Sequence, residues 1–179
     1  MKLLLFGNVG TGKSSLRREL QNVFNDYTPI VIDDYRRAFG DGSMQKEKLA
    51  KIKFIEAIDT NNTNQIIEAS GLGDTGEMIF EKLSSTADTK IVVVLYSELD
   101  VCLERLKNRK WDIPYPNKVS SVAGLVERQQ LLYQQGDLKQ KWRNQTNTVY
   151  LGLKNNSESD LIQNYFTIQS TINETKRNN

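Results

Sequence analysis

Eight residues near the start of the chain, Gly7-Asn8-Val9-Gly10-Thr11-Gly12-Lys13-Ser14, leave few folds open, because they match G-x-x-x-x-G-K-[ST] at every required position. The unbroken apolar run Leu3 to Phe6 precedes them. Leu16, Leu20, Val23 and Phe24 follow at i, i+4, i+7 and i+8. This pattern predicts a strand buried on both faces, a tight turn and a helix running to about Asn25. Glycine allows the torsions that turn successive N–H groups toward one centre, and the helix N-terminus adds partial positive charge. Lys13 adds a full charge that reaches the outer phosphates of a bound polyphosphate, and Ser14 offers a hydroxyl to a Mg²⁺ ion bridging two of them. An ordinary glycine-containing turn explains neither the spacing nor the flanking elements.

The alternation of strand and helix continues along the chain. Pro29 to Ile32, Gln65 to Glu68, Ile91 to Leu95 and Thr148 to Leu153 read as further strands. Between them, apolar spacing predicts helices within Lys46 to Asp59, around Glu77 to Leu83, through Leu99 to Leu106, and from Val119 to Gln135. Ser97 followed by Asp100 reads as a variant capping box for the third of these. A last helix carries Leu161, Ile162, Tyr165 and Phe166, and Asn173 to Asn179 is expected to fray. About five strands interleaved with helices predict a parallel sheet covered on both faces, a three-layer α/β/α fold in a single domain spanning 1–179. Gly40 to Ser43 and Trp111 to Asn117 read as surface segments.

Composition removes several kinds of chemistry. The 179 residues contain no His, so imidazole bases, His metal ligands and Ser-His-Asp systems are excluded, and a general base must be a carboxylate, Lys, Tyr or Cys. A single Cys, Cys102, forms no internal disulfide and no thiolate metal cluster, which points to a reducing, cytoplasmic setting. The longest apolar run, Ile91 to Tyr96, falls far short of the roughly 20 residues that span a bilayer, so no membrane partner is expected. With 24 Lys plus Arg against 22 Asp plus Glu, the formal charge of +2 is not that of a strongly basic nucleic-acid coat.

The second strand leads directly into Asp33-Asp34-Tyr35-Arg36-Arg37. In a parallel α/β sheet the C-terminal strand ends form the ligand edge, so these carboxylates share a rim with the phosphate turn. A carboxylate there can take the proton of a hydroxyl attacking a terminal phosphate, and an Arg one helical turn along can orient phosphate charge. The alternative is that Asp33 and Asp34 close the next helix and pair with Arg36 and Arg37. An N-K-x-D guanine motif is lacking: Asn117-Lys118-Val119-Ser120 has no Asp and reads as a chance match.

The phosphate turn, a strand and then D-D-Y-R resembles the kinase domain of polynucleotide kinases and, more loosely, the zeta-toxin-like and gluconate-kinase-like P-loop kinases. In those kinases a strand precedes a helix with two Arg four residues apart leading into a lid, and Arg105 and Arg109 follow the Ile91 to Leu95 strand in that way. The resemblance implies a P-loop NTPase fold of the nucleotide- or nucleoside-kinase kind, with a short lid at about 105–118. It implies Asp33 as general base, Arg36 on the acceptor side, and Arg105 and Arg109 closing over nucleotide and transferring phosphoryl group. The third strand ends Glu68-Ala69-Ser70-Gly71, closer to the E-G-T of the zeta-toxin-like kinases; this makes Glu68 and Ser70 candidates for acceptor or Mg²⁺-water contacts.

Expected nucleotide contacts are Gly7, Asn8, Val9, Gly10, Thr11, Gly12, Lys13, Ser14, Ser15 and Arg105, with Ser14 on the metal; Asp34, Arg36, Glu68 and Ser70 are the expected acceptor contacts. Trp111 and Tyr115, beside Arg105, Lys107, Arg109 and Lys110, read either as a base-stacking platform or as a lid hinge packed on the core. Lys154-Asn155-Asn156 falls where such kinases edge the adenine. The expected activity is ATP- and Mg²⁺-dependent transfer of the γ-phosphoryl group to a hydroxyl of a nucleoside, a nucleotide or a nucleic acid 5'-end. The alternatives are a kinase of a sugar, sugar nucleotide or other metabolite, and a nucleotide-binding module without transfer.

Overall fold

The computed structural model describes residues 1–61, 63–109, 111–115 and 122–177. Its strands are β1 (Lys2–Gly7), β2 (Thr28–Val31), β3 (Gln65–Glu68), β4 (Lys90–Tyr96) and β5 (Thr148–Lys154). They form one sheet in the order β2-β3-β1-β4-β5, parallel at every pairing. The helices are α1 (Lys13–Val23), α2 (Ile32–Phe39), α3 (Met44–Ala57), α4 (Gly73–Ser84), α5 (Leu99–Lys107), α6 (Val122–Gln135), α7 (Asp137–Arg143) and α8 (Glu158–Arg177).

Alternation along the strands divides the core into two layers. Leu3 and Leu5 of β1 and Ile91, Val93 and Leu95 of β4 pack with Leu16 and Leu20 of α1 and Ile168 and Ile172 of α8. Leu4, Phe6, Val92 and Val94 point the other way, toward Phe54 of α3, Ile79 and Leu83 of α4, and Trp142 of α7. Because both faces are covered, β1 and β4 read as continuous apolar runs, and the three-layer α/β/α expectation holds. Among the described residues no helix is long and apolar enough to cross a membrane.

Four local expectations need correction. β2 stops at Val31 and Ile32 already opens α2, so the acidic pair lies in the first turn of a helix rather than after a longer strand. The Ser97/Asp100 capping box does not form: Glu98 is the N-cap without a side-chain bond, Ser97 Oγ instead donates to the Asn155 carbonyl at 2.6 Å, and Asp100 accepts from Val101 N. α7 was not expected at all, being a short helix opened by Gly136 at φ +83° and held by buried Trp142. Finally, α8 continues past Asn173 to Arg177; Ile168 and Ile172 are fully buried, and the Lys176 ammonium lies 5.1 Å from the Tyr27 ring centroid and 3.5 Å from Asp26. Part of the expected lid, the chance match at 117–120, the start of the Val119 helix and the last two residues lie outside the described residues.

Trp142 sits at the centre of the α3, α4 and α7 layer, against the rings of Phe6 and Phe80. Trp142→Ala is expected to lower unfolding free energy by about 3–5 kcal/mol. Ile162→Ala, at an exposed position on α8, should stay within about 0.5 kcal/mol. Urea denaturation of both variants measures the contrast.

Candidate active site

β1 delivers its C-terminal Gly7 between β3 and β4, and the chain turns there into α1. Two glycines make the turn feasible. Gly10 has φ +87°, and a Cβ on it would lie 2.8 Å from the Cys102 carbonyl oxygen; Gly12 has φ +87°, and a Cβ on it would strike Asn155 Nδ2. Buried polar side chains fix the loop from behind. Asn8 donates to the Val126 carbonyl at 2.7 Å and accepts from Val9 N, and Thr11 Oγ1 donates to the Asn8 carbonyl at 2.9 Å. The Asn8 and Thr11 side chains therefore brace the turn, and they are fully buried.

Lys13 Nζ donates to the carbonyls of Gly7 at 2.8 Å and Asn8 at 2.7 Å. Burial pulls its pKa down, and the negative charges of Glu68 and Asp33 act against that pull. Ser14 Oγ donates to Glu68 Oε1 at 2.5 Å, while Arg17 Nε holds Glu68 Oε2 at 2.8 Å. Glu68 is buried at the end of β3, in register with Leu5. Ser14 and Glu68 are hard oxygen donors of the kind Mg²⁺ takes, one or two from protein and the rest from phosphate and water. No cluster of three or more His, Cys, Asp or Glu side chains that could hold a metal alone occurs among the described residues.

Across the rim, Asp33 is held from three sides. Its Oδ1 accepts from Arg36 Nη1 at 3.0 Å and from Tyr115 Oη at 3.0 Å, and its Oδ2 accepts from Arg109 Nη2 at 3.3 Å. Arg36 in turn forks onto buried Glu47 of α3, with Nη2 2.7 Å from Oε1 and Nε 3.0 Å from Oε2. Burial acts against the Arg36 charge, but the hydrogen-bonded Glu47 carboxylate outweighs it and the pKa is raised. Arg109 lies over the Trp111 ring at 5.2 Å. Burial and then the Asp33 charge push the Tyr115 phenol up to about 12.

At the other end, Arg105 Nη1 donates to the Gly10 carbonyl at 3.0 Å and the Asn155 carbonyl at 2.9 Å, and Asn155 Nδ2 donates to the Thr11 carbonyl at 2.6 Å. Arg105 is thus bonded to the turn itself. Asn155 Oδ1 and Gln129 Oε1 are buried without a hydrogen-bond partner. Ser70 presents its carbonyl to Gly7 N at 3.3 Å and to the Tyr133 hydroxyl, whose ionisation is strongly disfavoured by burial.

A single cavity of about 750 Å³ gathers most of the expected set: Gly7, Val9, Gly10, Gly12, Lys13, Ser14 and Ser15 with Asp33, Arg36, Glu68, Ser70, Arg105 and Arg109. Asp34 is a correction. Its carboxylate is 65% exposed, bonds Arg37 at 2.8 Å and does not line the cavity, because one residue step along α2 turns it about 100° away from Asp33. Glu47 was missed, since an acid inside the charged stretch Lys46 to Asp59 looks solvated in sequence. Gln129 lines the cavity too without a signal in the sequence, and Tyr115 faces the cavity with its hydroxyl on Asp33.

No protein-family model matches the chain, and no curated protein does either. Solved structures do share its fold. Shikimate kinase from Acinetobacter baumannii in complex with shikimate aligns with a TM-score of 0.66 at 16% identity, over 98% of this chain and 94% of that one. Deoxyadenosine kinase from M. mycoides with bound dATP gives 0.57 at 16% identity, over 97% and 100%. A gluconokinase from Sinorhizobium meliloti gives 0.55 at 14%, over 95% and 96%. The chain has the α/β fold of the P-loop kinases.

Gly12→Ala should both strain a left-handed backbone and strike Asn155. With about 1–2 kcal/mol of strain alone, it is expected to weaken nucleoside triphosphate binding by tenfold or more, as read by titration of a fluorescent ATP analogue. A Glu56→Gln control, at an exposed side chain of α3 outside the cavity, should bind within a few-fold of the parent.

Proposed function

We propose that this chain is a kinase that moves the γ-phosphoryl group of ATP to the hydroxyl of a small acceptor, with Mg²⁺ as its metal. One observation carries the reading: Asp33 and Lys13 line the same cavity, close enough that the Asp33 charge bears on the Lys13 ammonium. A base for the acceptor and a cation for the outer phosphates therefore face one volume.

The roles divide along the rim. Backbone N–H groups of the Gly7 to Ser14 turn and the α1 N-terminus cradle the polyphosphate. Lys13, which here bonds the loop's own carbonyls, exchanges them for phosphate oxygens. Ser14 and Glu68 would hold Mg²⁺ directly or through water, and the ion would supply neutralisation of phosphate charge. Asp33 takes the acceptor proton as the hydroxyl attacks, and Arg109 neutralises charge on the moving group. Arg36 acts as a strut that carries Glu47's anchorage to Asp33, a narrower role than holding the acceptor. Asn155 Oδ1, buried without a donor, offers an acceptor to the amino group of adenine.

The acceptor class is a small hydroxyl compound: a nucleoside, nucleotide, sugar or other metabolite. Asp33 is only 19% exposed beneath Tyr115 and Arg109, which supports a small acceptor over a polynucleotide 5'-end. Structures of similar fold include one complexed with shikimate and one with bound dATP, in keeping with small ligands. The 5'-end reading keeps its basis in the D-D-Y-R segment and the Arg105/Arg109 pair.

A panel of nucleosides, nucleoside monophosphates, sugars, hydroxy acids and 5'-hydroxyl oligonucleotides, assayed with ATP and Mg²⁺, tests both. A small acceptor is expected to turn over, and Asp33→Asn should lower its kcat by about 10²–10⁴-fold, the range of a lost general base. Undiminished transfer by Asp33→Asn would remove Asp33 as base. Turnover of oligonucleotides alone would overturn the small-acceptor reading.

A further inference from the structure

Tyr115 brings a hydroxyl of its own to the carboxylate that the proposed transfer uses as base. Its Oη donates to Asp33 Oδ1 at 3.0 Å, inside the cavity that holds Lys13, Ser14 and Glu68. The ring is held on two sides, by the Arg36 guanidinium 4.8 Å from its centroid and by Trp111 edge-on at 6.4 Å. The segment before it is fastened to α2 as well: Arg109 bonds Asp33, and Arg37 Nε lies 3.4 Å from Asp112. Among the described residues the other donors on Asp33 are the guanidinium groups of Arg36 and Arg109. Tyr115 therefore supplies an oxygen nucleophile already seated where an acceptor hydroxyl must sit.

We propose that Tyr115 is itself a phosphoryl acceptor, and that the chain phosphorylates this residue within its own molecule when no small acceptor occupies the site. The inference rests on the kinase reading above and extends it to a modification site. The step balances without any further reagent. The Tyr115 oxygen forms a bond to the γ-phosphorus of ATP, the bond from that phosphorus to the β,γ-bridging oxygen breaks, and ADP leaves with the electron pair. The phenolic proton passes to Asp33. A phenol is protonated at neutral pH, so a base is needed for this transfer, and the base is already hydrogen-bonded to it. Holding nucleophile and base together removes most of the entropy cost of bringing them into contact. The product, a phosphotyrosine beside Asp33, would draw on Arg109 for its charge and would fill the place of an incoming hydroxyl, closing the site to other acceptors.

The test incubates the whole chain with ATP and Mg²⁺ and no added acceptor, followed by intact mass and fragment mapping of the modified residue across a dilution series. The expected result is gain of one phosphoryl group at Tyr115, at a rate per molecule independent of protein concentration, lost in Asp33→Asn and in Tyr115→Phe. Mapping on the parent protein does not depend on either variant folding. Unmodified Tyr115 in a protein that phosphorylates a member of the acceptor panel overturns this inference and leaves the kinase reading standing. So does phosphate found only on another residue, or a rate that rises with protein concentration. Absence of ATP turnover with every acceptor, and of any modification, overturns both together.

Discussion

The parallel pairing of β1 with β3 on one side and β4 on the other is the constraint from which the site follows. It aligns Glu68 with Leu5 and Leu95 with Gly7, so three strands end together and their loops rise on one rim. A parallel register permits this because every strand points the same way and every crossover returns to the opposite edge. The phosphate turn, the Glu68 carboxylate and the Ser97–Asn155 region are then neighbours although they lie far apart in sequence. Moving β1 by one residue would exchange Leu3 and Leu5 with Leu4 and Phe6 between the two core layers, so the register is fixed by packing on both faces.

The two edges of this sheet carry charge in different ways. At the N-terminal edge Lys2 and Lys90 are fully buried, Lys2 4.0 Å from the buried Asp88 carboxylate, and their ammonium groups are occupied by backbone carbonyls of Thr63, Thr86 and Asp88. Burial lowers the pKa of both, and Asp88 opposes the effect. That arrangement is closed and internal. At the C-terminal edge Lys13, Arg105 and Arg109 also bond protein oxygens, yet they line an open cavity, so a polyphosphate can take over those bonds without leaving a cation stranded.

How much of this could be read in the sequence depends on the range of the interaction responsible. β1 and β4 were legible because burial on both faces writes an uninterrupted apolar run, and the phosphate turn because its glycines and Lys are set by local backbone geometry. Asp33 could be placed at the cavity because strand ends predict the rim, whereas Glu68, Arg105 and Arg109, which line the same cavity, were marked by the resemblance to P-loop kinases rather than by any local pattern. What α7 lacks is length: with only Leu138 and Trp142 facing inward, its periodicity is too brief to stand out. The Arg36–Glu47 fork spans two helices and eleven positions, and no local pattern marks one acid of a charged stretch as buried. Asp33 and Asp34 look equivalent in sequence; only the rotation between consecutive helical residues assigns one to the cavity and the other to solvent.

That rotation makes Asp33 the hub of the proposed acceptor side, and its bonding limits what could meet it there if the chain is a kinase. Glu47 anchors Arg36, Arg36 anchors Asp33, and Arg109 and Tyr115 reach the same carboxylate from the chain that follows α5. The Arg36 charge is already shared between two carboxylates, so it adds little free positive potential for an anionic substrate. Arg109 and Lys13 are the cations with most to give to a phosphoryl group. An incoming hydroxyl that takes the place of Tyr115's leaves the number of hydrogen bonds on Asp33 unchanged, whereas an anion arriving at the same point would face the carboxylate itself. On the proposed kinase reading, an acceptor would meet Asp33 through a neutral hydroxyl and keep any charge toward Arg109.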